Sequence, residues 1–327
     1  MSTPLRVLIT GGCGFIGSHL VAHLSNLGHR VIICDRQPLP PSLLGAPGIE
    51  LHRGEIADLL TASRLLQGVD VAYHLAWAHI PESATQHPVG DIQANLIPTI
   101  RLLQGCVEHR VRRLVFLSTG GAIYGRVRRL PVTESHPPRP ISAYGVTKLA
   151  AEKYIDLYHH LHGLSYAILR PSVPYGPGQD PLGRQGAVSV FIGSILTGRP
   201  ITLWGDGDAI VRDFFHVSDL ARAAVLAAGH SKPTGVFNIG GGRPVSLNHL
   251  LALLCELAEP EYAVQIQRAS PRPFDVPRLV LDISAARANL GWAPELSLRR
   301  GLAATWEWYK NVWLPTAKVE TAPAAKL

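Results

Sequence analysis

The segment VLITGGCGFIG sets Gly11, Gly14 and Gly17 three residues apart, directly after a β-branched run and at the start of an amphipathic stretch. Glycines so placed let the chain turn tightly and bring the free N–H groups of a helix start against a pyrophosphate. The spacing alone is ordinary turn chemistry; its place between strand and helix is what points to a dinucleotide. About 20 residues on, Asp35 closes the next apolar run, where an acid accepts hydrogen bonds from ribose hydroxyls and repels an extra phosphate. That favours NAD over NADP, while Arg36 beside it is of the type that receives such a phosphate.

In SAYGVTKLAAEKY, Tyr144 and Lys148 stand four apart, on one helix face and one turn from each other. A phenol with a pKa near 10 is a poor base at neutral pH. A neighbouring ammonium, joined by the positive ring of an oxidised nicotinamide, stabilises the phenolate and brings that value down. Tyr144 then has the chemistry to take an alcohol's proton as its hydride leaves, and Lys148 the reach to hold the nicotinamide ribose. Such pairs also occur on plain amphipathic helices, where the tyrosine packs and the lysine is solvated. This one follows the fifth apolar run and the loop STGGAIYG, at the sheet edge where a nicotinamide belongs.

The elements that must position these residues follow from periodicity. Strands are expected at Arg6–Thr10, Arg30–Cys34, Ile49–Arg53, Val69–Leu75, Arg113–Leu117 and Ser165–Arg170, alternating with helices at Phe15–Leu27, Leu59–Leu66, Asp91–Glu108 and Ala143–His162. Pro98 is expected to kink the third helix. The alternation is that of an α/β, Rossmann-type, doubly wound parallel sheet. After Arg170 a long Gly/Pro-rich loop, PSVPYGPGQDPLGRQG, opens a different region. Gly235-Val-Phe-Asn-Ile reads as a strand returning to the main sheet, and Ser246 as the N-cap of a helix over Leu247–Leu257. The expected division is an NAD-binding domain of residues 1–170 plus about 201–240, a smaller mixed α/β substrate-binding cap of about 171–200 plus 241–313, and a disordered tail over 314–327.

Composition narrows the function classes. With 327 residues and 46% hydrophobic content the chain can bury a sizeable core. Its formal charge of +7 comes in short clusters such as Arg126/Arg128/Arg129, without the basic stripe or aromatic platform of a nucleic-acid binder, and suits a small phosphate-bearing ligand instead. The four cysteines show neither disulfide nor metal-ligand spacing, and the fifteen histidines form no zinc pattern, so no metal is expected and a reducing, cytoplasmic compartment is. No stretch has the length of a membrane span, and no signal peptide is read at the start.

Beyond TGGCGFIGSHL and YGVTK, the chain carries YHLAW at the fourth strand, Asn95 in the next helix, YGPGQDP after the sixth strand, GDGDAIVRDFFHVSDLA, and RPFDVPRLVLD near the end. Over nearly its whole length it resembles the extended short-chain dehydrogenase/reductase family, specifically the NAD-dependent nucleotide-sugar epimerases and dehydratases of the UDP-glucose 4-epimerase type. The resemblance implies NAD contacts from Gly11, Gly14, Phe15, Ile16, Gly17, Asp35, Leu75, Ala76, Asn95, Tyr144 and Lys148. It sets Glu55, with Ile56 next to it, where the family has an adenine-binding Asp. It further implies that Arg212 and Arg272 grip a substrate diphosphate, that Asp275 holds the nucleotide ribose, and that Leu279 gates sugar size, admitting N-acetyl groups. Relatives pair through helices matching Asp91–Glu108 and Ala143–His162, so a homodimer is implied.

Two departures stand out. The family's third catalytic residue, a Ser or Thr four before the YG dipeptide, is Gly120 here, leaving Ser118, Thr119 or a water to steady the reacting oxygen; Val173 replaces a substrate-binding Asn. The run Gly120-Gly121-Ala122 also lacks the acid pair that the sugar dehydratases carry after that Thr. What survives is a 4-epimerase, an isomerase that oxidises a UDP-hexose at carbon 4, turns the keto sugar and reduces its other face with the same bound NAD. Two alternatives stay open: a nucleotide-sugar ketoreductase or dehydrogenase that releases NAD(P), and a catalytically silent NAD-responsive binding protein.

Overall fold

The computed structural model describes residues 4–320 apart from positions 57, 184, 230, 259–261 and 272–275. Six strands, β1 (Arg6–Thr10), β2 (Arg30–Asp35), β3 (Ile49–Arg53), β4 (Val71–His74), β5 (Arg113–Leu117) and β6 (Tyr166–Pro171), are joined by Gly235–Ile239 in one seven-stranded sheet. Its order is Gly235–Ile239, β6, β5, β4, β1, β2, β3, and every pairing is parallel. Val7 lies opposite Val31 on one side and Val71 on the other, so β1 is flanked by β2 and β4. Between β1 and β4 the winding reverses, and there the carboxyl ends of the strands open a crevice for ligand.

The inner strands β1, β2 and β4 are nearly continuous apolar runs because both faces are covered, whereas β3 at the sheet edge alternates Ile49 and Leu51 with Glu50 and His52. On one face Leu20, Val21 and Leu24 of the Phe15–Asn26 helix meet Ala221 and Ala224 of the Val217–Ala227 helix. On the other, Leu65 and Leu66, Leu102 and Leu103, and Ala151 and Ile155 come from the helices Leu59–Leu66, Ile97–Glu108 and Ala143–His162. Leu8, fully buried in this second layer, is a position where truncation to Ala costs about 2–5 kcal/mol.

The helix expected over Asp91–Glu108 is made of Pro88–Asp91, a wider π turn over Ile92–Leu96, and Ile97–Glu108. The Ile97 N–H reaches back five residues to Ile92 O, so the ladder has already widened where Pro98, which has no N–H to give, enters.

A second core holds the smaller region. Phe191, Ile192 and Ile195 of the Ala187–Thr197 helix pack with Leu250 and Leu254 of Leu247–Leu257 and with Leu302 and Trp306 of Leu298–Trp308. Three placements differ from the expected division. Ile201–Trp204 pairs with Ile266–Ala269 and buries Ile201 and Leu203 in this second core, because the main-sheet place beside β6 is taken by Gly235–Ile239. Ile283, Ala286, Leu290 and Trp292 pack instead into the core of the main sheet, where the Trp292 indole donates to Asp219 O at 2.9 Å. The tail expected from residue 314 is helical through Glu320, since Leu314 is buried beside Trp306 and Tyr309; residues 321–327 lie outside the described residues. Among the described residues no helix is long and apolar enough to cross a membrane.

Candidate active site

The crevice is lined by Gly11 and Gly14 from the first turn, Asp35 and Arg36 after β2, Glu55 and Ile56 after β3, Leu75, Ala76 and Trp77 after β4, and Asn95. Gly11 has φ +75°, and a Cβ there would lie 2.7 Å from Ala76 N, so only glycine lets the first and fourth strand ends approach. A Cβ on Gly14 would meet nothing nearer than Gly11 O at 3.5 Å, which leaves its face open to the crevice. Gly17 does different work: a Cβ would sit 2.0 Å from Gly11 O, so its role is to seat the helix against the turn. Phe15 meets His19 edge-on, and Ile16 packs against the main core.

Asp35 accepts from Cys13 N and Gln37 N, each at 2.9 Å, which fixes its carboxylate at the end of β2. Arg36 pairs with Glu55 at 3.3 Å, both more than half exposed, so the basic residue that suits a 2′-phosphate is engaged by the acid of the next strand. Asn95 is tied at both ends of its amide: Oδ1 accepts from Ala78 N at 2.7 Å and Nδ2 donates to Asp91 Oδ1 at 2.7 Å.

A chain of hydrogen bonds that the sequence reading missed joins these pieces. The Thr99 hydroxyl donates to Asn95 O at 2.7 Å, so its oxygen accepts from His74 Nε2 at 2.9 Å. His74 Nδ1 then accepts from Thr10 Oγ1 at 2.7 Å, whose oxygen in turn accepts from Ala76 N at 3.3 Å. Burial holds His74 neutral, its pKa brought down to about 3, with the Lys148 charge acting the same way.

The Ala143–His162 helix, capped by Ser142 at its start and by Gly163 in the left-handed region at its end, carries the Tyr144/Lys148 pair to the end of β5. Lys148 is 3% exposed. Its Nζ donates to Leu117 O at 2.6 Å and lies 3.7 Å from the centre of the Trp77 ring and 4.7 Å from that of Phe116. Burial brings its pKa down to about 7, against the carboxylates of Glu152 and Asp91, which raise it. Burial also raises the Tyr144 phenol, as does Asp91, while a hydrogen bond with the Thr119 side chain lowers it.

Ser118 and Thr119 part company here. The Ser118 hydroxyl donates to Glu152 Oε1 at 2.5 Å. Glu152 also receives Arg170 through Nε and Nη2, and Arg170 reaches the Tyr124 hydroxyl at 3.0 Å, so Ser118 belongs to a buried structural network. Thr119 is the hydroxyl beside Tyr144. A Cβ on Gly120 would point at Leu281 Cδ1, 2.7 Å away, and at Arg170 O. A hydroxyl at position 120 would therefore face the core; Thr119, five before Tyr124, is the N-cap of the short helix Gly120–Ile123. The paired glycines after Thr119 were the signal in the sequence.

On the substrate side, Val173 heads a short strand, Val173–Tyr175, paired with Phe214–His216. Arg212 is half-buried, its Nη1 donating to Val211 O and Pro277 O at 3.1 and 2.8 Å. Arg272 and Asp275 lie outside the described residues. Leu279 is 1% exposed and packs with Ile123, Tyr124, Val132 and Leu281; its side chain is enclosed by apolar neighbours, not presented to the crevice.

The strand order, the glycine turn with its acid and the Tyr-x-x-x-Lys pair at the end of β5 define the class as a nicotinamide-dinucleotide enzyme of the short-chain dehydrogenase/reductase type. The sequence matches the NAD dependent epimerase/dehydratase family over residues 7–240, and the chain belongs to that family. It is similar to the UDP-glucose 4-epimerase of Thermotoga maritima, solved with UDP-glucose, at 36% identity and a TM-score of 0.87, covering 94% of this chain and 99% of the other. It is also similar to the UDP-glucose 4-epimerase of Thermus thermophilus, solved with NAD, at 34% identity and a TM-score of 0.86 over 94% of this chain and all of the other. The UDP-N-acetylglucosamine 4-epimerase of Methanobrevibacter ruminantium follows at 28% identity and a TM-score of 0.87 over 94% and 99% of the two chains.

Proposed function

We propose that the protein is a nucleotide-sugar 4-epimerase that interconverts UDP-glucose and UDP-galactose, and also accepts the N-acetylhexosamine pair. The observation that carries this reading is Thr119 set beside Tyr144, one helical turn from Lys148, with Gly120, Gly121 and Ala122 where an elimination would need an acid and a base. NAD fits the crevice: Gly14 leaves open the space over the helix start, and Gly11, Asp35 and Asn95, which line it, are assigned to its pyrophosphate and riboses, with Lys148 assigned to its ring end. When bound, NAD supplies the oxidising and reducing equivalent at the sugar carbon.

The residues of the chain do the rest. Tyr144 takes the proton of the sugar 4-hydroxyl and later returns it, so no proton is consumed. Thr119 holds the reacting oxygen in line with the phenol, and the Lys148 charge stabilises the phenolate. Arg212, with Arg272 and Asp275, is assigned to the nucleotide-diphosphate half of the substrate. Acceptance of N-acetyl sugars is supported by the likeness to the Methanobrevibacter enzyme and not by Leu279, whose packing is that of a core residue. Conversion of UDP-glucose by protein carrying NAD, with no nicotinamide added, tests the proposal; repeated absence of conversion on both the plain and the acetylated pairs overturns it.

A homodimer and a cytoplasmic setting belong to the same proposal. Val146, Tyr154, Leu157 and Leu161 recur along one side of the Ala143–His162 helix and are exposed, as are Ile92 and Ile97 on the neighbouring helix. All four cysteines are free thiols, which suits a reducing compartment.

A further inference from the structure

Trp77 stands in the crevice at the end of β4, and neither the glycine turn nor the Tyr144/Lys148 chemistry accounts for it. Its ring face meets the Lys148 ammonium at 3.7 Å, and its ring meets Tyr144 edge to face with centroids 6.3 Å apart. Phe116 closes the other side, 4.7 Å from Nζ and 6.1 Å from the indole centroid. Among the described residues the buried indole Nε1 has no hydrogen-bond partner, so what holds the ring is this packing and the cation over its face. A carboxylate in that place would hold the lysine and cancel its charge; an aromatic face attracts the cation and leaves the net charge beside the phenol.

We propose that Trp77 is a positioning residue of the reaction, an aromatic seat that keeps Lys148 protonated and aimed at Tyr144. The inference rests on the reading of Tyr144 and Lys148 as the reacting pair. Lys148 is faced by Glu152 from its own helix, where Tyr144 lies one turn away, by Asp91 at the end of Pro88–Asp91, by His74 on β4 and by Leu117 O on β5. His79, 3.3 Å from Asp91, bears on that carboxylate in turn. Glu152 is already held by Arg170 and Ser118, and His74 is neutral. The Trp77 face and Leu117 O are thus the cation's close partners among the described residues.

Three proteins carrying NAD, the wild type, Trp77→Leu and Trp77→Phe, are compared by kcat against pH and by the 13C shift of the Lys148 side chain against pH. Loss of the ring destabilises the ammonium, so in Trp77→Leu both the alkaline limb of kcat and the Lys148 titration move to lower pH by about one unit. KM is unchanged, and Trp77→Phe, which keeps a ring, recovers most of the shift. A Trp77→Leu protein titrating like the wild type, or a Trp77→Phe protein displaced as far as Trp77→Leu, overturns the proposal. Should Trp77→Leu fail to fold, fluorinated tryptophans at position 77 decide: titration shifting with each added fluorine supports the seat, and titration indifferent to fluorine refutes it. If the wild type turns over no nucleotide sugar, the epimerase reading fails, and the Lys148 titration still judges Trp77.

Discussion

Ser118 and Thr119 are neighbours with the same functional group and different surroundings. Removing the Ser118 hydroxyl takes a donor from the buried Glu152–Arg170 pair, so Ser118→Ala is expected to lose about 1–2 kcal/mol of stability in denaturant titrations while the folded fraction keeps its kcat. Thr119→Ala is expected to fold normally and lose about a hundredfold in kcat, the scale of one lost donor at a reacting oxygen. The reverse pattern would move the catalytic hydroxyl to Ser118. Gly120→Ser makes the contrast sharper: its Cβ runs into Leu281, so it is expected to cost about 1–3 kcal/mol in stability and to gain no rate. A faster Gly120→Ser enzyme would show that position 120 faces the substrate after all. Tyr144→Phe should abolish turnover and leave NAD bound, as judged by the nucleotide that heat releases.

At the scale of elements, the loop after β4 is registered against Asn95 by the chain Ala76–Thr10–His74–Thr99–Asn95. That chain runs in one direction only with His74 neutral. The folded His74 pKa lies far below its ordinary value, so between the ordinary histidine pKa and about 3 the unfolded state binds a proton that the folded state refuses. Stability from this site is therefore complete above about pH 6.5 and falls as pH drops below it. Denaturant midpoints measured from pH 7 to 4 should fall more steeply for the wild type than for His74→Gln; equal slopes would remove His74 from the acid response. The strands and helices around this loop were legible because each carries its period: β1, β3, β5, Leu59–Leu66 and Ala143–His162 lie where alternation and apolar spacing put them. The hydrogen-bond chain was not, because threonine and histidine on buried strands look like β-branched packing until their partners, up to 66 residues away, are known. Trp77 was hidden in the same way: YHLAW marks the strand, and only the fold sets its fifth letter under Lys148.

For the whole molecule, the parallel sheet follows from the alternation of runs, while the boundary between the two cores does not. Ile201–Trp204 has the apolar alternation of a sheet strand, and only the competition with Gly235–Ile239 for the place beside β6 sends it to the smaller core. The exposed apolar side of Ala143–His162 makes a prediction about assembly. The wild type is expected to sediment as a dimer, and Leu161→Asp, which sets a charge on a residue 59% exposed in one chain, is expected to sediment as a monomer with its fold intact. A monomeric wild type would leave that face unexplained.

In the proposed reaction one bound cofactor removes and returns the hydrogen at carbon 4 of the same sugar. The most direct measurement is conversion of UDP-glucose carrying deuterium at carbon 4 by purified protein with no nucleotide added. UDP-galactose that keeps its deuterium at carbon 4, formed alongside NAD released on heating in equal amount to protein, is the predicted result. No conversion, or conversion only when nicotinamide cofactor is supplied and with the deuterium lost to it, would overturn the epimerase reading.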